Sequence, residues 1–203
     1  MSKSLPVIFV RSAASPSDFP PGELPEVAVF GRSNVGKSSL LNRLAGVRRL
    51  AHVSKTPGRT QLINFFRVGD LLHLVDLPGY GFARVPVKLR QNWEQLVTSY
   101  LFEREELCLA LLLVDSRREP MPSDLQVRDL LEQAGVAYAI VATKADKLSR
   151  GRMAQQLTKL KKAYGQAGEA PIAFSAVTSE GRKSLWMVIE KHVRGAKQAP
   201  KKS

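Results

Sequence analysis

A single cysteine, Cys108, stands among the 203 residues, so no disulfide can close within the chain and its fold must rest on packing. Flanked by Leu107 and Leu109, it is expected to fill core rather than to react. No apolar run approaches the roughly 20 residues that cross a bilayer. The longest, LCLALLLV at 107–114, is under half that length, and PVIFV near the N-terminus is too short for the apolar stretch of a secretory signal. These absences lead to the expectation of a cytoplasmic protein with no membrane partner. His52, His73 and His192 are too scattered to suggest a metal cluster. Aromatics make up 7% of residues and are not interleaved with the basic runs, so a base-stacking RNA platform is unsupported. Trp93 and Trp186 fall on amphipathic helical patterns and read as core.

Acidic residues are scarce too: 18 against 31 basic ones, a net charge of +13, of which residues 147–203 carry +10. Arg152, Lys159, Lys161 and Lys162 crowd one helical pattern, and Arg182, Lys183, Lys191, Arg194 and Lys197 another. Ordinary solvated faces mix both signs, so this excess points to a polyanionic partner contacted through phosphates, with a plain solubility device as the alternative.

What is present is an alternation. Apolar runs at 26–30, 71–76, 109–115, 137–143 and 171–175 alternate with helical patterns at 37–45, 86–104, 123–134, 149–164 and 181–194. Continuously apolar strands separated by helices indicate a parallel sheet covered on both faces. Val68-Gly69-Asp70 is a tight turn between two strand-like runs, which adds one antiparallel edge strand. The expected fold is a three-layer α/β/α sandwich with a mostly parallel sheet. Residues 1–25, rich in Ser and Pro, are expected to wrap the surface; 26–195 form the domain; 196–203 are expected to be a disordered basic tail.

GRSNVGKS, Gly31 to Ser38, fits G-x-x-x-x-G-K-[ST] between a predicted strand and a predicted helix, the context that a phosphate-binding loop requires. Gly31 and Gly36 let successive amides turn inward, the helix N-terminus adds its dipole, Lys37 would bridge β and γ phosphates, and Ser38 would offer its hydroxyl to Mg²⁺. Forty residues on, Asp76 ends a strand where a carboxylate can reach that metal through water, and the Gly79 amide can meet a γ-phosphate. An ordinary turn cap is the bland reading of Asp76. TKAD, Thr143 to Asp146, follows another strand. A carboxylate there accepts from both N1–H and the exocyclic amine of guanine, whereas adenine would leave it unpaired. Lys144 would lay its stem along the base and order the loop, and the Ala176 amide after Ser175 could meet O6.

Together, GRSNVGKSSLLNRL, TPGRTQLINFF, DLPGYGFA, TKAD and FSA resemble the EngB family (also YihA or YsxC) of bacterial ribosome-biogenesis GTPases, in the TRAFAC class of P-loop NTPases, over about residues 5–195. The resemblance implies GTP hydrolysis with Mg²⁺, a role on the large ribosomal subunit precursor through rRNA and ribosomal proteins, and a link to cell division and septation; a monomer is expected. It implies nucleotide contacts from Gly31, Arg32, Ser33, Asn34, Val35, Gly36, Lys37 and Ser38. Further contacts would come from Gly58, Arg59, Thr60, Gln61 and Leu62; from Asp76, Leu77, Pro78 and Gly79; from Thr143, Lys144, Ala145 and Asp146; and from Phe174, Ser175 and Ala176. Its pattern favours Thr60 as the switch residue that binds Mg²⁺ alongside Ser38 and Asp76, with Thr56 as a competitor. Lys37, Thr60 and Asn34 are the expected catalytic set. Asn34 matches an asparagine that supports K⁺ in related GTPases, and a backbone-capping Asn is the equal alternative. Two departures, Thr143 for Asn and Val177 for Lys, lead to an expectation of modest affinity.

Tyr80 stands where Ras-like enzymes place a water-orienting Gln. A phenol with a pKa near 10 is a poor base at neutral pH, so Tyr80 is expected to pack outward or to serve a partner. Two rivals remain at this point: a phosphotransferase acting on a small acceptor, against which TKAD speaks, and a basic RNA-binding protein with a vestigial nucleotide site.

Overall fold

A computed structural model describes residues 5–47, 50, 62–80, 87–165 and 169–198, leaving the side chains of 87–90, 92 and 93 outside that description. Seven strands run in the order β1-β3-β4-β2-β5-β6-β7. They are β1 (Val7–Ala13), β2 (Glu26–Gly31), β3 (Ile63–Val68), β4 (Leu72–Asp76), β5 (Leu107–Asp115), β6 (Tyr138–Thr143) and β7 (Glu169–Ala173). The five helices are α1 (Lys37–Ala45), α2 (Val87–Glu103), α3 (Pro122–Gln133), α4 (Arg150–Tyr164) and α5 (Arg182–Gln198).

The period of two along a strand divides the core. Ala28 and Phe30 on β2, Ala110 and Leu112 on β5, and Ile140 and Ala142 on β6 pack with Tyr100 of α2, Leu131 of α3 and Leu160 of α4. Their neighbours Val27, Val29, Leu111, Leu113 and Val141 turn to the other face, against Leu40 and Leu44 of α1 and Leu185, Ile189 and Val193 of α5. Burial on both sides is why these strands read as continuous apolar runs. Cys108 is partly buried against this second layer, and burial pushes its thiol up to about 11, so it is the core filler expected. Trp186 packs there too, while the Trp93 side chain lies outside the described residues.

The three-layer, mostly parallel architecture is as expected, with two corrections to its margins. Within the segment expected to wrap the surface, residues 7–13 form β1, paired antiparallel with β3, so β3 runs against the others but is not the edge. Ile8, Phe9 and Val10 remain exposed on that edge, which is why burial periodicity did not mark the strand. At the other end, α5 continues through Gln198, so residues 196–198 are helical rather than tail; Lys197 donates to the Asp70 carbonyl at 3.2 Å.

Candidate functional site

The C-terminal ends of β2, β4, β5 and β6 deliver Gly31, Asp76, Asp115 and Thr143 to one edge of the sheet, the place where open α/β sheets bind ligands. Gly36 caps α1 in the left-handed region, φ 116°, a conformation that costs glycine no Cβ clash, so the loop turns directly into the helix. Lys37 leads that helix, and its Nζ donates to Gly31 O at 3.3 Å. Burial lowers the pKa of Lys37, and nearby Asp76 pushes it back. Gly79 is a close approach: a Cβ there would stand 2.9 Å from Lys37 Nζ and 3.1 Å from Ser33 Oγ. Ser38 is exposed on the first turn of α1.

Asp76 and Ser33 each bury an oxygen, Oδ1 and Oγ, with no hydrogen-bond partner among the described residues. Burial pushes the Asp76 carboxyl from 3.8 up to about 6, against the pull of Lys37 and Asn64. An orphaned carboxylate oxygen and an exposed serine hydroxyl are hard-oxygen donors of the kind that suits Mg²⁺. The folded chain holds the Asp76 proton more tightly than the unfolded chain, so this group's contribution to stability is present below about pH 4 and lost as pH rises through about 6. The shift corresponds to roughly 3 kcal/mol. With no magnesium or nucleotide added, Asp76→Asn is therefore expected to melt about 6–12 °C above the parent at pH 8 and nearly level with it at pH 4. A constant difference across that range, read by scanning calorimetry, would refute the assignment.

The TKAD segment is tied to the phosphate loop. Thr143 Oγ1 donates to Val35 O at 2.7 Å, with Val114 O at 3.0 Å as a second acceptor. Lys144, at φ 60°, sends Nζ to Asn34 O and to Asp115 Oδ2, each at 2.9 Å. The expected loop-ordering contact of Lys144 is thus present, and Thr143 shares it. Ser175 donates to Asp146 Oδ1 at 2.7 Å, and this bond holds the Asp146 carboxyl below its usual range. Asn34 is exposed at φ 63°, with no side-chain hydrogen bond among the described residues. A cavity of about 390 Å³ lies beside the loop, lined by Arg32 to Val35, Asp115, Arg117 and Lys144, and reaching Asp124.

Phe174 and Ser175 are buried just past β7, Ala145 is buried, and Leu62 and Leu77 flank β3 and β4. The structure brings these segments together with Gly31–Ser38 and Asp76–Gly79. Thr56, Gly58, Arg59, Thr60 and Gln61 lie outside the described residues.

Tyr80 corrects the sequence reading. It packs inward, 6% exposed, and donates to Asp124 Oδ1 at 2.8 Å. Burial, with Asp124 adding to it, pushes the phenol well above its ordinary pKa, which removes it further from any role as base.

Several residues at the site were not anticipated. Asp115 is raised by burial, yet hydrogen bonds from Arg117 and Lys144 hold it well below the carboxylate range. Its place at the end of an apolar strand, like that of Asp76, was a usable signal. Ser12 of β1 donates to Asn64 Oδ1 at 2.6 Å, and Asn64 pairs in register with Asp76, so the missed strand supports the site. Arg43 of α1 grips the Ala176 carbonyl through Nε, at 2.9 Å, and Nη2. Arg182 in turn donates to the Arg43 carbonyl at 2.9 Å, so it braces the fold rather than lying open on a basic surface.

Comparison with known proteins agrees with this geometry. Residues 26–144 match the family model described as a 50S ribosome-binding GTPase. The chain is 50% identical over 186 residues to a probable GTP-binding protein EngB of Pelotomaculum thermopropionicum, covering 91% of this chain and 94% of that one. It is 48% identical to the namesake of Geobacter metallireducens, covering 90% and 89%. A crystal structure of a probable GTP-binding protein engB superposes with a TM-score of 0.69 over 84% of this chain and 99% of the other, at 22% identity. Era in complex with MgGDPNP and a 16S ribosomal RNA fragment gives 0.67 over 89% and 58%, at 20% identity. Identity near one half across nine-tenths of the length leaves one conclusion: the chain belongs to the EngB family of GTP-binding proteins, and it is a GTPase.

Proposed function

We propose that this GTPase is a nucleotide-controlled factor in assembly of the large ribosomal subunit, a cytoplasmic monomer needed for normal cell division and septation. The observation that carries the nucleotide part is the convergence of Lys37, Asp76 and Gly79 on the phosphate loop, with Asp146 and Ser175 at the base end of the same edge. Gly31 to Ser38 cradle the phosphates, Asp146 reads guanine, and Phe174 to Ala176 close the base side. Ser38 and Asp76, with Thr60, would hold Mg²⁺, which would supply screening of the phosphate charge. Lys37 neutralises the oxygens it faces, and the Thr60 carbonyl orients the attacking water. Asn34, at the loop crest, would hold K⁺ as a further charge-spreading ligand.

The ribosomal part is supported by the family model's description and by α4. Arg150, Arg152, Lys159, Lys161 and Lys162 are all exposed on it. Lys159 pairs with Glu119 at 2.7 Å, an exposed contact too weak to withhold it from phosphate. On α5, Lys191 and Arg194 pair with Glu169 and Glu190, so α4 carries the larger unmatched charge.

Cosedimentation with large-subunit precursors tests this reading. Binding is expected to be about tenfold tighter with a GTP analogue than with GDP and to weaken steeply with salt. Binding indifferent to nucleotide would favour the alternative, an rRNA-binding factor with a vestigial switch.

A further inference from the structure

Tyr80 is held at both ends. Its carbonyl accepts from the Ser33 N–H of the phosphate loop at 3.3 Å, and a short parallel pairing joins it to Arg32. Its phenol runs the other way, into the layer formed by α2, α3 and α4, to reach Asp124. Asp124 belongs to the first turn of α3 and is itself 4% exposed. Burial pushes the Asp124 carboxyl up, and the Tyr80 phenol, followed by the Arg32 charge, the Met121 backbone and Tyr164, pulls against that burial. Arg32, reaching over from the phosphate loop, also donates to Ser123 Oγ at 3.4 Å. The loop, the turn after β4 and the start of α3 are thus joined through one phenol and one carboxylate.

We infer that Tyr80 and Asp124 form a latch that fixes Gly79 over the phosphate loop, and that Asp124 is thereby a positioning residue for triphosphate over diphosphate. The inference rests on the reading above that the Gly79 amide meets a γ-phosphate. Gly79 immediately precedes Tyr80 and already lies against Lys37 Nζ and Ser33. An amide ordered in advance loses less conformational freedom when it engages the third phosphate, whereas a diphosphate presents nothing at that position and draws no benefit. The latch acts on the difference between the two nucleotides, with little effect on what they share.

Calorimetric titration of the full chain with GDP and with a non-hydrolysable GTP analogue tests it. Tyr80→Phe and Asp124→Ala are each expected to weaken analogue binding about five- to tenfold while GDP affinity stays within about twofold. The double variant should be no worse than the poorer single, because both remove one interaction. Asp124→Asn keeps an acceptor oxygen for the phenol and should recover most of the analogue affinity. Equal losses for both nucleotides, or single effects that multiply in the double variant, would reduce the contact to ordinary core packing and overturn the latch. If the parent chain binds neither nucleotide, the functional reading itself fails; if it binds both and the variants discriminate as it does, the latch alone fails.

Discussion

Replacing Asp146 by asparagine is expected to lower GDP affinity by about 10²- to 10⁴-fold and to transfer the preference to xanthosine diphosphate. The Ser175 hydroxyl donates to Asp146 Oδ1 at 2.7 Å and holds the carboxyl below its usual range, and in the proposed reading this carboxylate is what the base meets. Guanine offers two donors there, N1–H and the exocyclic amine, and each bond to a charged acceptor contributes about 1.5–3 kcal/mol. Asparagine keeps one acceptor and sets an N–H against the other donor. Xanthine carries a carbonyl in place of that amine, so the asparagine N–H finds a partner again. Ser175 can still donate to the remaining oxygen, which leaves the loop's support in place. Competition between the two diphosphates, followed by calorimetry, is the measurement. A loss of GDP affinity below tenfold with no gain for xanthosine diphosphate would show that another group reads the base.

The second large effect falls at the phosphate end. Lys37→Ala should weaken both GDP and GTP binding by about 10²- to 10³-fold and bring turnover close to background, since truncating one partner of a buried charge pair costs about 2–5 kcal/mol. The same change acts on the protein alone. Lys37 pulls the Asp76 carboxyl down against burial, so its removal should move that group above its present value of about 6. Magnesium-dependent tightening of nucleotide binding should then require higher pH in the variant than in the parent. Stopped-flow release of a fluorescent GDP, with and without magnesium at pH 6 and pH 8, reads both effects. Unchanged release rates would remove Lys37 from the site.

Much of this was legible because phosphate chemistry is written locally. Gly31 to Ser38 lie within eight residues, and Asp76 and Asp146 each end or follow an apolar run, so spacing alone placed them on one sheet edge. What escaped depends on partners far along the chain. The direction of Tyr80 is decided by Asp124, 44 positions away, and the grip on the Ala176 carbonyl by Arg43, 133 positions away. The β1 strand escaped for a different reason. Ile8 to Arg11 are exposed in succession, on both faces of the strand, so it carries no alternation of a buried and a bare side. Arg182 looked like one more cation in a basic stretch, and nothing in its neighbours shows that its guanidinium turns back onto α1.

The double arginine brace has a consequence for selectivity by size. Nine residues long, α1 presents the phosphate loop at one end, while near the other Arg43 fastens the loop proposed to close the base side. At 1.5 Å per residue the helix is a fixed ruler of about 13 Å. A ligand must therefore match a preset span as well as the chemistry at each tip, and nucleotide mimics with a lengthened or shortened sugar–phosphate tether should be turned away even when base and phosphates are intact.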